Sequence, residues 1–328
     1  MSFDAKKPRI LVALGGHSSE RKISILSGKQ VALALEKRGY PTDILDVGTG
    51  KFHQIPELDA LEVDPKKIVA VPTFLLTDIK RHFSLIFIVM HGKFGEDGGL
   101  QSLLEEISVN YVGSEPASCA VAQDKRFAKI IMRAEGVPTA DFQLIKNEND
   151  KLNIKFPVVI KPIKEGSSVG ISICENEADY KFAIKDTLEK YKDAIIEPYL
   201  GTKEFTVGVL EGENGQAKAL PVIEIKPKKK FFDLEAKYDG TTEEIVPAKI
   251  DKQLTEKLQQ IAVSAHESLG MRHFSRTDII IDQKGNPQVL DTNPIPGLTQ
   301  ESLLPKAAKA AGFSFEDLIE HLVKLALK

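Results

Sequence analysis

Cysteine is scarce. Cys119 and Cys174 are the two in 328 residues, far apart and without histidine neighbours. That excludes a disulfide framework and a cysteine–histidine zinc site, and it suits a reducing compartment. Long apolar runs are missing too. The longest, Leu85–Met90, is far shorter than the roughly 20 residues a bilayer span needs. Ile10–Leu14 is too short for the core of a signal peptide and reads as a first buried strand. Neither sign of charge dominates, and a net charge of -3 gives no reason to expect nucleic acid or an anionic membrane as partner. Gly15-Gly16 is no Gly-x-Gly-x-x-Gly fingerprint, which removes support for a dinucleotide-binding dehydrogenase. There is no internal repeat and no low-complexity tract. The expectation is a cytoplasmic protein.

What is present points to several domains. At 328 residues the chain is too long for one ordinary core. The first third alternates strands (Arg9–Leu14, Thr42–Asp46, Lys67–Val71, Leu85–Met90) with helices (Lys22–Arg38, Gly98–Ile107), which predicts an α/β unit with a doubly wound parallel sheet over 1–123. A second unit, 124–199, starts with a helix over Asp124–Gly136. Strands follow at Ala140–Ile145, Val158–Lys161, Gly170–Cys174 and Ala194–Tyr199, with a helix at Glu177–Tyr191 between the last two. The third, 200–328, has strands at Glu204–Leu210, Ala217–Ile225, Arg276–Asp282 and Pro287–Asp291. Helices at Lys252–Leu269, Ser302–Ala311 and Phe315–Leu327 cover it. Residues 226–240, rich in lysine and aromatics without a clear period, read as a mobile loop.

Chemistry concentrates in the third unit. Arg276–Asp282 and Val289–Asn293 alternate apolar residues around a Gly/Asn/Pro turn, the pattern of two adjacent antiparallel strands. Such pairing brings Asp278, Asp291 and Asn293 to one face as oxygen-only ligands, a set that suits Mg²⁺ with positions left for water and phosphate. Arg276 adds a fixed positive charge there. In the second unit, Glu165–Gly170 holds Ser167 and Ser168 between glycines. Its backbone N–H groups and hydroxyls suit a phosphate, although an ordinary hairpin connection has the same look. Lys161, at the end of an apolar strand, reads as a phosphate contact. The combination indicates phosphoryl transfer.

Further segments join these: Gly15–Glu20, His91–Gln101, Gln123–Lys125, Val158–Gly170, Glu197–Val207, Phe231–Tyr238, Arg276–Asp278, and Asp291–Asn293 with Pro296-Gly297. In this order, over nearly the whole chain, they resemble the ATP-grasp superfamily and, within it, the D-alanine–D-alanine ligase family. The resemblance implies an ATP-grasp architecture, in which two α+β domains clamp ATP behind an N-terminal α/β domain. It implies that Lys125, Lys161 and Ser168 hold nucleotide phosphates, that Glu197 and Leu200 meet adenine, and that Glu204 meets the ribose. Asp278, Asp291 and Asn293 then bind two Mg²⁺, for which Mn²⁺ substitutes. Glu20, Ser167 and Tyr238 surround the first D-alanine, while Ser302 and Leu303 meet the carboxylate end of the second. Lys237 and Arg276 add positive field. Arg276 and the N–H of Gly297 stabilise the oxyanion of a tetrahedral intermediate. A loop carrying Phe231, Phe232, Lys237 and Tyr238 closes over an acyl phosphate and excludes water. Homodimers and a place in peptidoglycan synthesis are also implied.

Some positions read two ways. Gly297 is as well explained by a Pro-Gly turn as by an oxyanion donor. His91 either caps the sheet or, as the resemblance implies, orients substrate or handles a proton. Glu20 is either a helix start or the partner of a substrate ammonium. Two departures from the family pattern stand out. Asp291 replaces the usual Glu, and Pro294 interrupts the usual Asn-Thr-x-Pro-Gly, which makes the acceptor subsite the least defined part. Tyr238 argues for a D-amino acid acceptor over a D-hydroxy acid. The alternative is a ligase of the same scaffold with D-serine, D-lactate or another amino acid as acceptor. A non-catalytic nucleotide-binding protein is disfavoured by the full set of cationic and acidic residues.

Overall fold

The computed structural model describes residues 7–68, 76–226 and 242–328. Lys237, Tyr238, Phe231, Phe232 and nearly all of the expected mobile loop lie outside the described residues. So does most of the expected strand Lys67–Val71; its first residue, Lys67, closes a 3-10 turn, Pro65–Lys67, instead. Pro65, with its fixed φ and no N–H, suits the start of that turn rather than a central strand.

The N-terminal sheet is built from β1 (Ile10–Leu14), β2 (Thr42–Asp46), β3 (Lys51–His53), β4 (Leu85–Ile88) and β5 (Asn110–Val112) in the order β3-β2-β1-β4-β5. All neighbours are parallel except the edge strand β3, which returns antiparallel to β2. β1 is buried throughout. Ile10, Val12 and Leu14 enter one apolar cluster and Leu11 and Ala13 another, as period-2 side chains of a sheet covered on both faces must. The associated helices are α1 (Arg21–Lys37), α2 (Leu76–His82) and α3 (Gly99–Glu106). Two more helices, α4 (Pro116–Gln123) and α5 (Lys125–Ala134), lead to the next sheet. Asp124 caps α5 by accepting from the N–H groups of Arg126 and Phe127.

The second sheet is antiparallel and four-stranded: β6 (Gln143–Ile145), β7 (Val158–Pro162), β8 (Ser172–Cys174) and β9 (Ala194–Pro198), ordered β6-β9-β7-β8, with α6 (Glu177–Tyr191) packed on it. The third contains β10 (Lys203–Glu211), β11 (Ala217–Ala219), β12 (Ile223–Lys226), β13 (Glu243–Ile245), β14 (Phe274–Ile281) and β15 (Pro287–Asn293). Its main path is β13-β12-β10-β14-β15, and β11 pairs with β10. α7 (Lys252–Ser268) and α8 (Leu303–Ala310) pack against this sheet. The final helix, α9 (Phe315–Ala326), returns to the first sheet and lays Leu318, Leu322 and Val323 into the cluster shared with β1 and α1.

The single strand expected over Ala217–Ile225 is divided. Pro221 has no N–H for the ladder, and Leu220 N donates to Gly208 O instead, so β11 ends before it and β12 starts after it. A parallel bridge between Thr139, in the segment joining α5 to β6, and Val289 of β15 ties the start of the second unit to the third sheet.

Candidate active site

A cleft with about 1400 Å³ of open space lies where the second and third sheets meet, and its walls are set by strand alternation. On β7, Val158 and Ile160 pack under α6, so Val159 and Lys161 turn to the cleft. On β14, Ile279 and Ile281 join the core under α7, and Arg276, Asp278 and Ile280 face the opening. Asp278 pairs directly with Asp291, and Arg276 with Asn293. The register then slips, since Ile279 pairs with Val289 and Leu290 is the extra residue. This bulge lets the consecutive residues Leu290 and Asp291 both line the cleft.

Asp278 is held firmly. Arg276 donates from Nε and Nη2 to the two oxygens of Asp278, each at 3.0 Å. Thr206 Oγ1 donates to Asp278 Oδ1 at 2.6 Å. Asn293 Oδ1 accepts from Ile295 N at 2.8 Å, which fixes its amide orientation.

Across the cleft, Lys161 Nζ donates to Glu197 Oε2 at 2.8 Å. Lys129 Nζ approaches the other oxygen, Oε1, at 3.1 Å. Burial alone would raise the Glu197 carboxyl, but the two ammonium groups hold it far below the usual carboxylate range. Lys125, first residue of α5, reaches the carbonyl of Glu165. Ser167 and Ser168 both have left-handed φ, +50° and +62°, a conformation rare outside glycine that folds the 165–168 loop back on the cleft. Ser167 Oγ donates to Glu20 Oε1, joining this loop to the start of α1. Leu200 and Glu204 complete the wall beyond β9.

Glu20 owes its place to a buried anchor. Its neighbour Arg21 is fully buried and donates through Nη1 and Nη2 to both oxygens of Asp46, at 2.8 and 2.6 Å. Nη1 also reaches Gly16 O at 3.0 Å, and Nε reaches Glu62 O at 2.7 Å. Gly15 has φ +81°, and a Cβ there would lie 2.4 Å from Asp46 Oδ1, so only glycine fits.

His91 lies behind the cleft wall rather than in it. It is 4% exposed, with Nδ1 3.6 Å from Oε1 of Glu96, which does line the cleft. Burial pushes its pKa down, but the carboxylates of Glu96 and Glu20 outweigh that, and the net shift is upward. Gly297, Ser302 and Leu303 do not line the cleft. Ser302 Oγ accepts from Thr299 N at 3.1 Å and sits where a Cβ on Gly297 would be 2.8 Å away. Leu303 packs partly buried against the core.

Lys129, Glu96 and Thr206 escaped sequence reading. Lys129 is four residues after Lys125, one helical turn along the same face, and that spacing was the available signal. Nothing local marks Thr206, because its partner Asp278 comes from a distant strand.

The architecture and this cleft define an ATP-grasp enzyme. Residues 9–114 match the family described as D-ala D-ala ligase N-terminus, and residues 131–324 match D-ala D-ala ligase C-terminus. Among curated relatives, the D-alanine–D-alanine ligase of Aquifex aeolicus is 38% identical, covering 96% of this chain and 99% of that protein. The one of Halalkalibacterium halodurans is 36% identical, covering 98% and 99%. Among solved structures, the ligase of Coxiella burnetii superposes with a TM-score of 0.83 at 26% identity, covering 98% of this chain and 94% of that one. A Bacillus anthracis D-alanine–D-alanine ligase complexed with ATP gives 0.76 at 27% identity, covering 98% and 97%. The chain belongs to the D-alanine–D-alanine ligase family.

Proposed function

We propose that the cleft joins two D-alanines into D-alanyl-D-alanine at the expense of ATP, with the residues above in the following roles. The observation that carries this is the convergence of cationic groups (Lys125 and Lys161 on one wall, Arg276 on the other), an acidic pair (Asp278, Asp291) and the Glu20–Ser167 contact on one cleft. A carboxylate is a poor acyl donor because its oxygen leaves badly. In the first step a carboxylate oxygen of one D-alanine attacks the γ-phosphorus of ATP and ADP departs. In the second, the amine of the other D-alanine attacks the acyl phosphate carbonyl. Phosphate then leaves with the former carboxylate oxygen, and the amine loses a proton. Protein work in such chemistry is mostly positioning and charge neutralisation.

Lys161 and Lys125 flank the phosphates, and Glu197, Leu200 and Glu204 meet the adenine and ribose end. Val159, Ile280 and Leu290 give the base an apolar bed. Glu20 accepts from the ammonium of the first D-alanine, in an orientation set by Ser167 and by the buried Arg21 beside it. Arg276, next to the acidic pair, stabilises negative charge developing at the reacting centre. His91 acts from behind Glu96 as an orienting group. Gly297, Ser302 and Leu303 belong to the acceptor side.

The donor set also fits Mg²⁺. Asp278, Asp291 and Asn293 offer oxygen atoms alone, and Asn293 Oδ1 keeps a second lone pair besides the one given to Ile295. Among the described residues no group of three or more His, Cys, Asp or Glu is arranged to hold a metal. A site of two carboxylates and an amide suits an ion that keeps water and phosphate oxygens in its shell. When bound, Mg²⁺ supplies neutralisation of the phosphate charge. The product serves bacterial peptidoglycan synthesis, as the family does.

The test is isotopic. D-alanine labelled with ¹⁸O in its carboxylate should deliver one ¹⁸O to the released phosphate for each dipeptide formed. Dipeptide formation with unlabelled phosphate would remove the acyl phosphate from the account.

A further inference from the structure

We infer that Lys129 is the standing counter-ion of Glu197, a positioning residue that keeps this carboxylate ionised and oriented at the base end of the cleft while Lys161 serves the nucleotide's phosphates. The inference rests on the nucleotide assignment just given, and it concerns a residue that does not line the cleft.

The geometry is one carboxylate between two ammonium groups. Glu197 is 2% exposed and Lys129 1%. Lys161 takes Oε2 and Lys129 faces Oε1. Lys129 Nζ also donates to Thr139 Oγ1 at 2.7 Å, and that hydroxyl donates onward to Val289 O at 2.9 Å. The ammonium is thereby fixed to β15, two residues before Asp291. Burying an ammonium is costly, and Lys161 already balances the charge of Glu197 from Oε2. A second buried cation is useful where the first is shared with another anion. Lys161 lines the cleft at its cationic wall, and a phosphate there draws on the same ammonium.

Specificity follows from the ionised state. A carboxylate only accepts hydrogen bonds. It therefore pairs with the amino group of adenine and repels the carbonyl oxygen that guanine carries at the same edge. Without Lys129, Glu197 competes with the phosphates for Lys161, and its charge is supported by one partner instead of two.

The experiment compares wild type, Lys129→Met and Lys161→Met by calorimetric binding of ADP and GDP, with KM and kcat for ATP and D-alanine alongside. Lys129→Met should weaken ADP binding on the order of tenfold, the scale of depriving a buried charge of one partner. It should narrow the adenine-over-guanine preference and leave the KM for D-alanine unchanged. A folded Lys129→Met with unaltered ADP affinity and base preference, while Lys161→Met loses ADP, overturns the role of Lys129 and leaves the nucleotide site standing. Retention of ADP affinity by Lys161→Met overturns the nucleotide assignment itself. If Lys129→Met does not fold, Thr139→Val loosens the same ammonium without removing it. A several-fold weakening of ADP binding then supports the role, and unchanged ADP affinity overturns it.

Discussion

Asp278 and Asp291 face each other across β14 and β15, at the last pair before the ladder slips by one residue. Their placement depends on a bulge as much as on sequence, because Leu290 is the residue the ladder skips. If the pair handles the phosphate end of the cleft, Asp278→Ala should lower turnover by on the order of 10²–10³-fold while the fold persists. Steady-state ADP release together with circular dichroism checks this. Near-normal turnover would detach Asp278 from the chemistry.

Glu20 and Ser167 bind each other across more than 140 residues of sequence. Glu20→Gln keeps the shape but removes the charge that meets the D-alanine ammonium. The KM for D-alanine should rise roughly 10–100-fold, with ADP affinity unaltered. A parallel loss of ADP affinity would move Glu20 out of the amino acid site.

Arg21 and Asp46 form a fully buried pair. Removing one member leaves the other buried and uncompensated. Asp46→Ala should cost about 3–5 kcal/mol of stability, measurable as a lower urea midpoint. A change under about 1 kcal/mol would put the pair in the class of exposed ion pairs.

The His91–Glu96 contact makes a pH prediction with a definite sign. Because the folded-state pKa of His91 is raised above its unfolded value of about 6.5, its contribution to stability is fully present below that pH. It is lost as pH rises through the folded value. Urea midpoints of wild type should therefore decline above about pH 6.5 relative to His91→Asn. Parallel curves would show that Glu96 does not hold the imidazolium.

Much of this was legible in the chain. The buried run Leu85–Met90 and the alternation in Arg276–Asp282 announced their strands, because periods of that length survive without tertiary context. Three-residue strands such as β3, β5 and β13 carry too little period to be seen. Pro116 and Leu76 open helices that the same reading passed over, α4 and α2 being only two turns long. In the cleft, Asp278, Asp291, Asn293 and Lys161 stand out by residue type and position, and Glu20 through the family resemblance. Lys129, Thr206 and Glu96 do not, since what they do depends on partners brought from other strands and helices. His91 was placed beside the substrate by resemblance, whereas the structure sets it behind Glu96.

The most direct test of the central claim is ADP release with Mg-ATP against a panel of D-amino acids, L-amino acids and D-lactate, with products identified by mass. ADP release that requires D-alanine and yields D-alanyl-D-alanine is the predicted result. Release driven best by another acceptor would contradict the substrate assignment and point to Pro294–Leu304. No release with any of them would contradict the assignment of a working ligase.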